Sequence, residues 1–273
     1  KQVPATNWGY VFAGSDPVTN SAPRPTPKNL EAQSKFIVKY NNFPEWTKAQ
    51  VQASIDVWAA NFESKVPIYI EATWGRSSSF SILGSARPGS YFSNFTGAPD
   101  AGLWYPSALA NALAGKDLDG DNPEMIITVN SLANWYRGTG SGPSRTEYDL
   151  QSVILHEMAH GLGFLSTDSY DDFFGYGSID QPTPYDAYAQ TEDGRRLSDL
   201  PSPSLELGQA LTSKLVWAGP LGIAANGGEK PLLYTPKKYE DGSSVSHLDE
   251  ATFSNAGKDA AMSPNLDAGE IFH

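Results

Sequence analysis

The chain has 273 residues, with 31 acidic and 19 basic side chains and a formal net charge of −12. This acidic balance argues against nucleic acid and anionic membranes as partners, because both attract Lys- and Arg-rich surfaces. The absence of cysteine excludes disulfides and thiolate metal sites. No apolar run reaches the roughly 18 residues of a membrane-spanning helix. We expect a monomer without a membrane span. Any bound metal ion would have to be held by His and carboxylate groups.

The N-terminal 34 residues are rich in Pro, Asn, Ser and Thr, and they include the proline-rich run 23–27. Such a composition favours an extended chain over a packed helix or strand. We therefore expect residues 1–34 to form an extended arm that lies on the surface.

Strand and helix patterns follow this arm. Phe36–Tyr40 alternates as a first strand, and apolar side chains then recur at helical spacing after Pro44. That helical stripe consists of Val51, Ile55, Trp58 and Phe62. Further strands are expected at residues 68–74, 79–83 and 125–130.

A helix over residues 150–162 carries the motif His156-Glu157-Met158-Ala159-His160. Asp149 has the chemistry of an N-cap, and Gly163 provides a helix stop. Residues i and i+4 lie about 40° apart on a helix, so both imidazoles point in the same direction. Two neutral imidazoles as ligands, with Glu157 beside them as a general base, are the arrangement that a zinc hydrolase needs.

The pattern weakens after Gly163, where one helix is expected near residues 204–216. We therefore divide the chain into an arm (1–34), a helix-and-sheet upper subdomain (35–163) and a smaller irregular lower subdomain (164–273). The expected fold class is α+β.

A catalytic zinc site needs a third protein ligand. The compact form of the motif would place it at Ser166, and serine is not a zinc ligand. The remaining candidates are Asp168, Asp180, Asp186, Glu192, Glu206 and His247. Spacing alone does not choose among them.

The run His-Glu-Met-Ala-His-Gly-Leu-Gly-Phe at 156–164, the distant His247, and Ala-Met262-Ser-Pro264 resemble the metzincin metallopeptidases. Among these, the chain is most similar to the leishmanolysin-like branch, in which a long insertion precedes the third zinc histidine. The resemblance implies that His247 completes the zinc site and that Met262 forms the Met-turn beneath the metal. It also implies a metzincin-like fold: a mixed twisted sheet and two main helices above an active-site cleft, with an irregular subdomain below.

The same resemblance implies a secreted zinc-dependent metalloendopeptidase that hydrolyses proteins or peptides with Glu157 as general base. It likens the strand at 125–130 to the edge strand that pairs with an extended substrate. Some metzincins place a tyrosine two residues after the Met-turn methionine, a position held here by Pro264. Tyr234 and Tyr239 are other candidates for that oxyanion-stabilising role.

Two other functions stay open. One is a zinc peptidase of another clan, with an Asp or Glu as third ligand. The other is a non-catalytic binding module stabilised by zinc. Glu157 argues against the second, because a purely structural site gains nothing from a base beside the metal.

An acidic turn precedes the strand at 125–130. Asp117, Asp119 and Asp121, with Asn122 and Glu124 close behind, cluster oxygen ligands as a calcium loop does. The turn lacks the ligand spacing of an EF-hand. It is the candidate calcium site of the chain.

Overall fold

The structure is a computed structural model and describes residues 1–18, 31–138, 142–253 and 261–272. It is a mixed α/β protein with a six-stranded mixed sheet and several helices, compatible with the α+β class. The proline-rich run 23–27 lies outside the described residues. Within those residues, no helix is long and apolar enough to cross a membrane.

Short strands and helices alternate along the described part of the chain. The strands are β1 (Gln2–Pro4), β2 (Gly9–Ala13), β3 (Phe36–Asn41), β4 (Ile68–Gly75), β5 (Ile82–Pro88), β6 (Ser90–Phe92), β7 (Tyr105–Pro106), β8 (Met125–Asn130), β9 (Asp168–Tyr170), β10 (Gly177–Ile179), β11 (Ala189–Thr191), β12 (Leu215–Trp217) and β13 (Asn265–Leu266). The helices are α1 (Lys48–Asn61), α2 (Ser107–Ala114), α3 (Leu150–Leu162), α4 (Pro184–Tyr188), α5 (Leu205–Leu211), α6 (Pro220–Ala225) and α7 (Glu250–Phe253).

The main sheet has the strand order β13-β2-β5-β8-β4-β3. Strands β3, β4 and β8 are mutually parallel, whereas β5 runs antiparallel to both of its neighbours, β8 and β2. The β8 strand therefore lies inside the sheet, between β5 and β4. The prediction that residues 125–130 form the substrate-pairing edge strand is wrong, because both edges of this strand are already hydrogen-bonded.

Helix α3 packs between the sheet and α1. On the α1 side, Ser54 Oγ donates to the Gln151 carbonyl at 2.7 Å, and Trp58 Nε1 donates to the Leu155 carbonyl at 2.9 Å. On the sheet side, a Cβ built on Gly161 would lie 2.3 Å from Met125 Cγ. Glycine at this position therefore lets the helix approach β8 closely, and this contact fixes the height of the histidine motif above the sheet.

Most of the predicted elements are confirmed. The strands at 36–40, 68–74 and 125–130, the helix after Pro44 and the helix at 150–162 are present. The strand expected at 79–83 instead begins at Ile82 and runs to Pro88. The helix expected at 204–216 ends at Leu211, and the chain then enters β12.

The prediction of a surface arm over residues 1–34 is wrong for residues 2–4 and 9–13. Residues 2–4 pair with β6, and residues 9–13 form a strand of the main sheet. Val11 is fully buried. The alternating run Gly-Tyr-Val-Phe-Ala supplies an apolar face to the core, so burial decides its conformation despite the proline-rich sequence that follows.

Most of the buried apolar residues in the described part of the chain belong to two clusters. The first lies between the main sheet and helices α1 and α3, and the second is built from residues 179–245. Gly163 falls between them in sequence. Leu266 and Phe272 join the first cluster, so these two residues of the predicted lower subdomain (164–273) pack in the upper core.

Candidate metal centre

Helix α3 begins and ends at residues that suit its termini. The Asp149 carboxylate accepts hydrogen bonds from Ser152 N at 2.8 Å and from Ser152 Oγ at 2.6 Å, as an N-cap does. At the other end Gly163 adopts φ 120°, and its N–H donates to the carbonyls of Ala159 and His160. The two motif histidines thus lie on a capped, buried helix.

His156, His160 and His247 converge at one point. The distance from His156 Nε2 to His160 Nε2 is 3.0 Å, and those from His247 Nε2 to the other two are 3.1 and 3.2 Å. Each Nδ1 contacts a backbone carbonyl: Ala261 O at 2.7 Å, Phe164 O at 2.7 Å and Ser243 O at 2.9 Å, respectively. The structure therefore brings the predicted ligand set together.

These contacts fix the tautomer of every ring. A carbonyl oxygen only accepts, so each Nδ1 carries the proton and each Nε2 presents a lone pair. Neighbouring nitrogens bound to one tetrahedral zinc at 2.0–2.1 Å would lie about 3.3 Å apart. The spacing of the three Nε2 atoms is close to that value. Three lone pairs that converge on one point repel each other, and a cation bound at that point would stabilise them.

Burial keeps the three imidazoles neutral. The pKa of His156 lies well below its ordinary value because of burial, followed by the charges of His160 and His247. Burial also lowers the pKa of His160 well below its ordinary value, and that of His247 to about 4. Neutral imidazole is the form that binds metal ions.

Glu157 is fully buried next to this cluster. Neither carboxylate oxygen has a hydrogen-bond partner among the described residues. Burial raises the pKa of Glu157 well above its ordinary value. A buried carboxyl without a partner destabilises a fold, and no hydrogen bond among the described residues offsets that cost for Glu157.

Residues 261–262 are hydrogen-bonded both to the motif helix and to Leu248, the residue after His247. The Ala261 carbonyl accepts from His156 Nδ1, and the Met262 carbonyl accepts from Leu248 N at 2.8 Å. Met262 itself is buried. The predicted Met-turn segment therefore lies against both parts of the cluster through its backbone.

The acidic candidates for third ligand lie in other settings. Glu192 and Glu206 form exposed ion pairs with Lys214 and Arg195, and Asp180 is exposed. Asp186 is buried, but it completes the capping box of α4 and accepts from Ser166 and Thr183. Asp168 is buried beside that network, where burial raises its pKa to about 7.

The tyrosines singled out in the sequence are also engaged elsewhere. The Tyr234 hydroxyl contacts Glu240 at 3.0 Å, and Tyr239 interacts with Asp168. Two residues that the sequence did not single out lie at the centre. A Cβ added to Gly9 would lie 2.4 Å from the His160 ring. The pKa of Tyr10 is raised by burial and then by Asp241 and Glu157. Their alternating, β-prone run was the signal that could have found them.

The acidic turn forms a second group of oxygen ligands. Carboxylate oxygens of Asp117, Asp119 and Glu124 lie within 4.8 Å of one another, whereas Asp121 is not a member. Glu124 is buried, and its two oxygens already accept from Tyr69 N and Asn111 Nδ2. Because acidic groups often occur in turns without a cation, calcium binding at this turn stays a prediction.

Comparisons of the chain with protein-family models, with curated proteins and with solved structures found no significant match. Functional inference therefore depends on the geometry of the histidine cluster and Glu157.

Proposed function

We propose that the protein is a zinc-dependent metalloendopeptidase of the metzincin type, with His156, His160 and His247 as zinc ligands and Glu157 as general base. The observation that carries the proposal is the convergence of three neutral Nε2 atoms within 3.2 Å of one another beside a buried carboxyl without a hydrogen-bond partner. Structural zinc sites have four protein ligands, whereas catalytic sites keep one position open.

Each residue has a defined part in this proposal. When bound, zinc supplies a Lewis acid that polarises a scissile carbonyl and acidifies water. Glu157 accepts a proton from the attacking water and passes it to the leaving amide nitrogen. The carbonyls of Ala261, Phe164 and Ser243 orient the imidazoles and raise their basicity.

The remaining parts of the proposal follow from the family resemblance. It favours proteins or extended peptides as substrates and a secreted enzyme. The mixed sheet, the buried motif helix and the backbone position of Met262 are compatible with a metzincin-like fold. The acidic alternatives for third ligand lose support, because none of them joins the histidine pair in the metal-ligand group.

Complete burial of the histidines and Glu157 favours a second candidate, a non-catalytic module stabilised by zinc. A working peptidase must admit a substrate to these groups, whereas a structural metal needs no access. The two candidates differ in one measurable property, hydrolysis.

The test is metal analysis combined with casein cleavage. We expect one zinc per chain, loss of cleavage on removal of zinc with a chelator, and recovery on adding zinc back. Stoichiometric zinc without any cleavage would favour the binding module. Cleavage that persists after complete zinc removal would exclude both zinc-based proposals.

A further inference from the structure

The buried state of the candidate centre has a definite cause. His156, Glu157, His160 and His247 are each 0% exposed. Strand β2 lies directly over them, since the space that a Cβ on Gly9 would need is filled by the His160 ring. Strand β2 is therefore one of the elements that cover the candidate centre.

Strand β2 is held on both sides, as a bound peptide would be. It pairs antiparallel with β5, with Tyr10 opposite Ser85 and Val11 opposite Gly84. On its other side, Tyr10 N donates to Gly242 O at 3.2 Å, and Phe12 N donates to Pro264 O at 2.9 Å. Main-chain pairing with a sheet strand is how an extended peptide is recognised by strand addition, and β2 makes that pairing with β5.

Strand β2 also lies beside the general base. Val11 is the register partner of Gly84 in β5, and a Cβ built on Gly84 would lie 2.8 Å from Glu157 Oε1. The Gly9–Val11 segment therefore runs from the proposed zinc ligand His160 to Glu157, as an extended substrate would cross the centre.

We propose that residues 9–13 occupy the peptide-binding cleft in the alignment of a substrate, and so compete with other peptides for the centre. This inference rests on the proposed function. It assigns the cleft to the space between β5 and residues 264–266, with the Gly9–Val11 segment beside His160 and Glu157. An external peptide enters only when β2 leaves, and it then pairs with the same two backbones.

The test weakens β2 and measures the binding of a peptide probe. Phe12→Pro removes the N–H that donates to Pro264 O and places a proline between two strands. The probe is a fluorescent synthetic peptide, Gly-Tyr-Val-Phe-Ala, that copies residues 9–13. Binding is measured by fluorescence anisotropy on the zinc-loaded full chain carrying Glu157→Gln, so that the probe is not cut. We expect Phe12→Pro to tighten probe binding by about tenfold or more.

Val3→Pro is the matched control. It makes the same change in β1, which pairs with β6 at Tyr91 instead of with β5. The control should bind the probe as the parent does. Equal probe affinity in the parent, the control and Phe12→Pro would overturn the proposal.

A reversible disulfide between β2 and β5 tests whether β2 occupies the cleft, and it does so without weakening the fold. Tyr10 and Ser85 are register partners. Because Tyr10 N donates to Gly242 O and not to the Ser85 carbonyl, they form a non-hydrogen-bonded pair, whose close Cα atoms suit a disulfide. The chain has no cysteine of its own, so Tyr10→Cys with Ser85→Cys can form one disulfide only. Oxidation should abolish probe binding and reduction should restore it. Probe binding that is unaffected by oxidation would place the peptide elsewhere.

Casein cleavage by the chains that retain Glu157 separates the two proposals. If Phe12→Pro tightens probe binding but neither chain cleaves casein, β2 occupies the cleft and the peptidase proposal fails. If wild type and Phe12→Pro cleave casein equally and bind the probe equally, the peptidase stands and the occupancy of the cleft by β2 fails.

Discussion

Asp168 should make the protein less stable as pH rises. Burial, reinforced by Asp186, raises its pKa from 3.8 to about 7. Between those values the folded chain holds a proton that the unfolded chain has released. The stabilisation is complete below pH 4 and is lost as pH rises through 7. The difference is about three pH units, and at about 1.4 kcal/mol per unit it corresponds to about 4 kcal/mol at most.

Asp168→Asn removes this titration with little change in shape. We expect the variant to be about 2–4 kcal/mol more stable than wild type at pH 8, with little difference at pH 4.5. Urea unfolding followed by the fluorescence of the seven tryptophans measures both proteins, and chelator in every sample keeps zinc out of the comparison. A stability difference that is the same at pH 4.5 and pH 8 would refute the neutral, buried state of Asp168.

Three substitutions test the construction of the centre. His247→Ala should weaken zinc binding by more than about 100-fold, since loss of a ligand exceeds the cost of losing an outer partner, whereas Glu206→Ala should leave zinc affinity unchanged in the same titration. Asp149→Ala removes the N-cap of α3 and should cost about 1–2 kcal/mol in urea unfolding; no loss would mean that the cap is dispensable. Gly163→Ala places a side chain at φ 120°, 2.8 Å from Pro106 Cγ. It should cost about 1–3 kcal/mol, and a neutral effect would contradict the helix stop.

The motif helix could be predicted almost to the residue because its signals are local. Asp149 and Gly163 mark its two ends, and the spacing of the two histidines needs only helix geometry. The parallel strands at 36–40 and 68–74 were similarly visible as β-prone runs on either side of an apolar helical stripe. These features depend on neighbours in sequence.

The surroundings of the centre could not be predicted in the same way. Sequence spacing left His247 as one of several candidates for the third ligand, because a long stretch of intervening chain determines its position. The place of β8 inside the sheet depends on β5, which follows β4 in sequence but pairs on the far side of β8. Residues 9–13 were obscured by their proline-rich neighbours, although their alternating pattern is typical of a buried strand.

The most direct test of the central claim is the rate of casein hydrolysis by the zinc-loaded Glu157→Gln chain relative to the zinc-loaded wild type. Both proteins should hold one zinc, because Glu157 is not among the converging ligands. The account predicts that the substitution lowers the hydrolysis rate by about 10²–10⁴-fold, the usual contribution of a general base. Equal rates at equal zinc content would contradict the assignment of Glu157 as general base and the peptidase mechanism built on it.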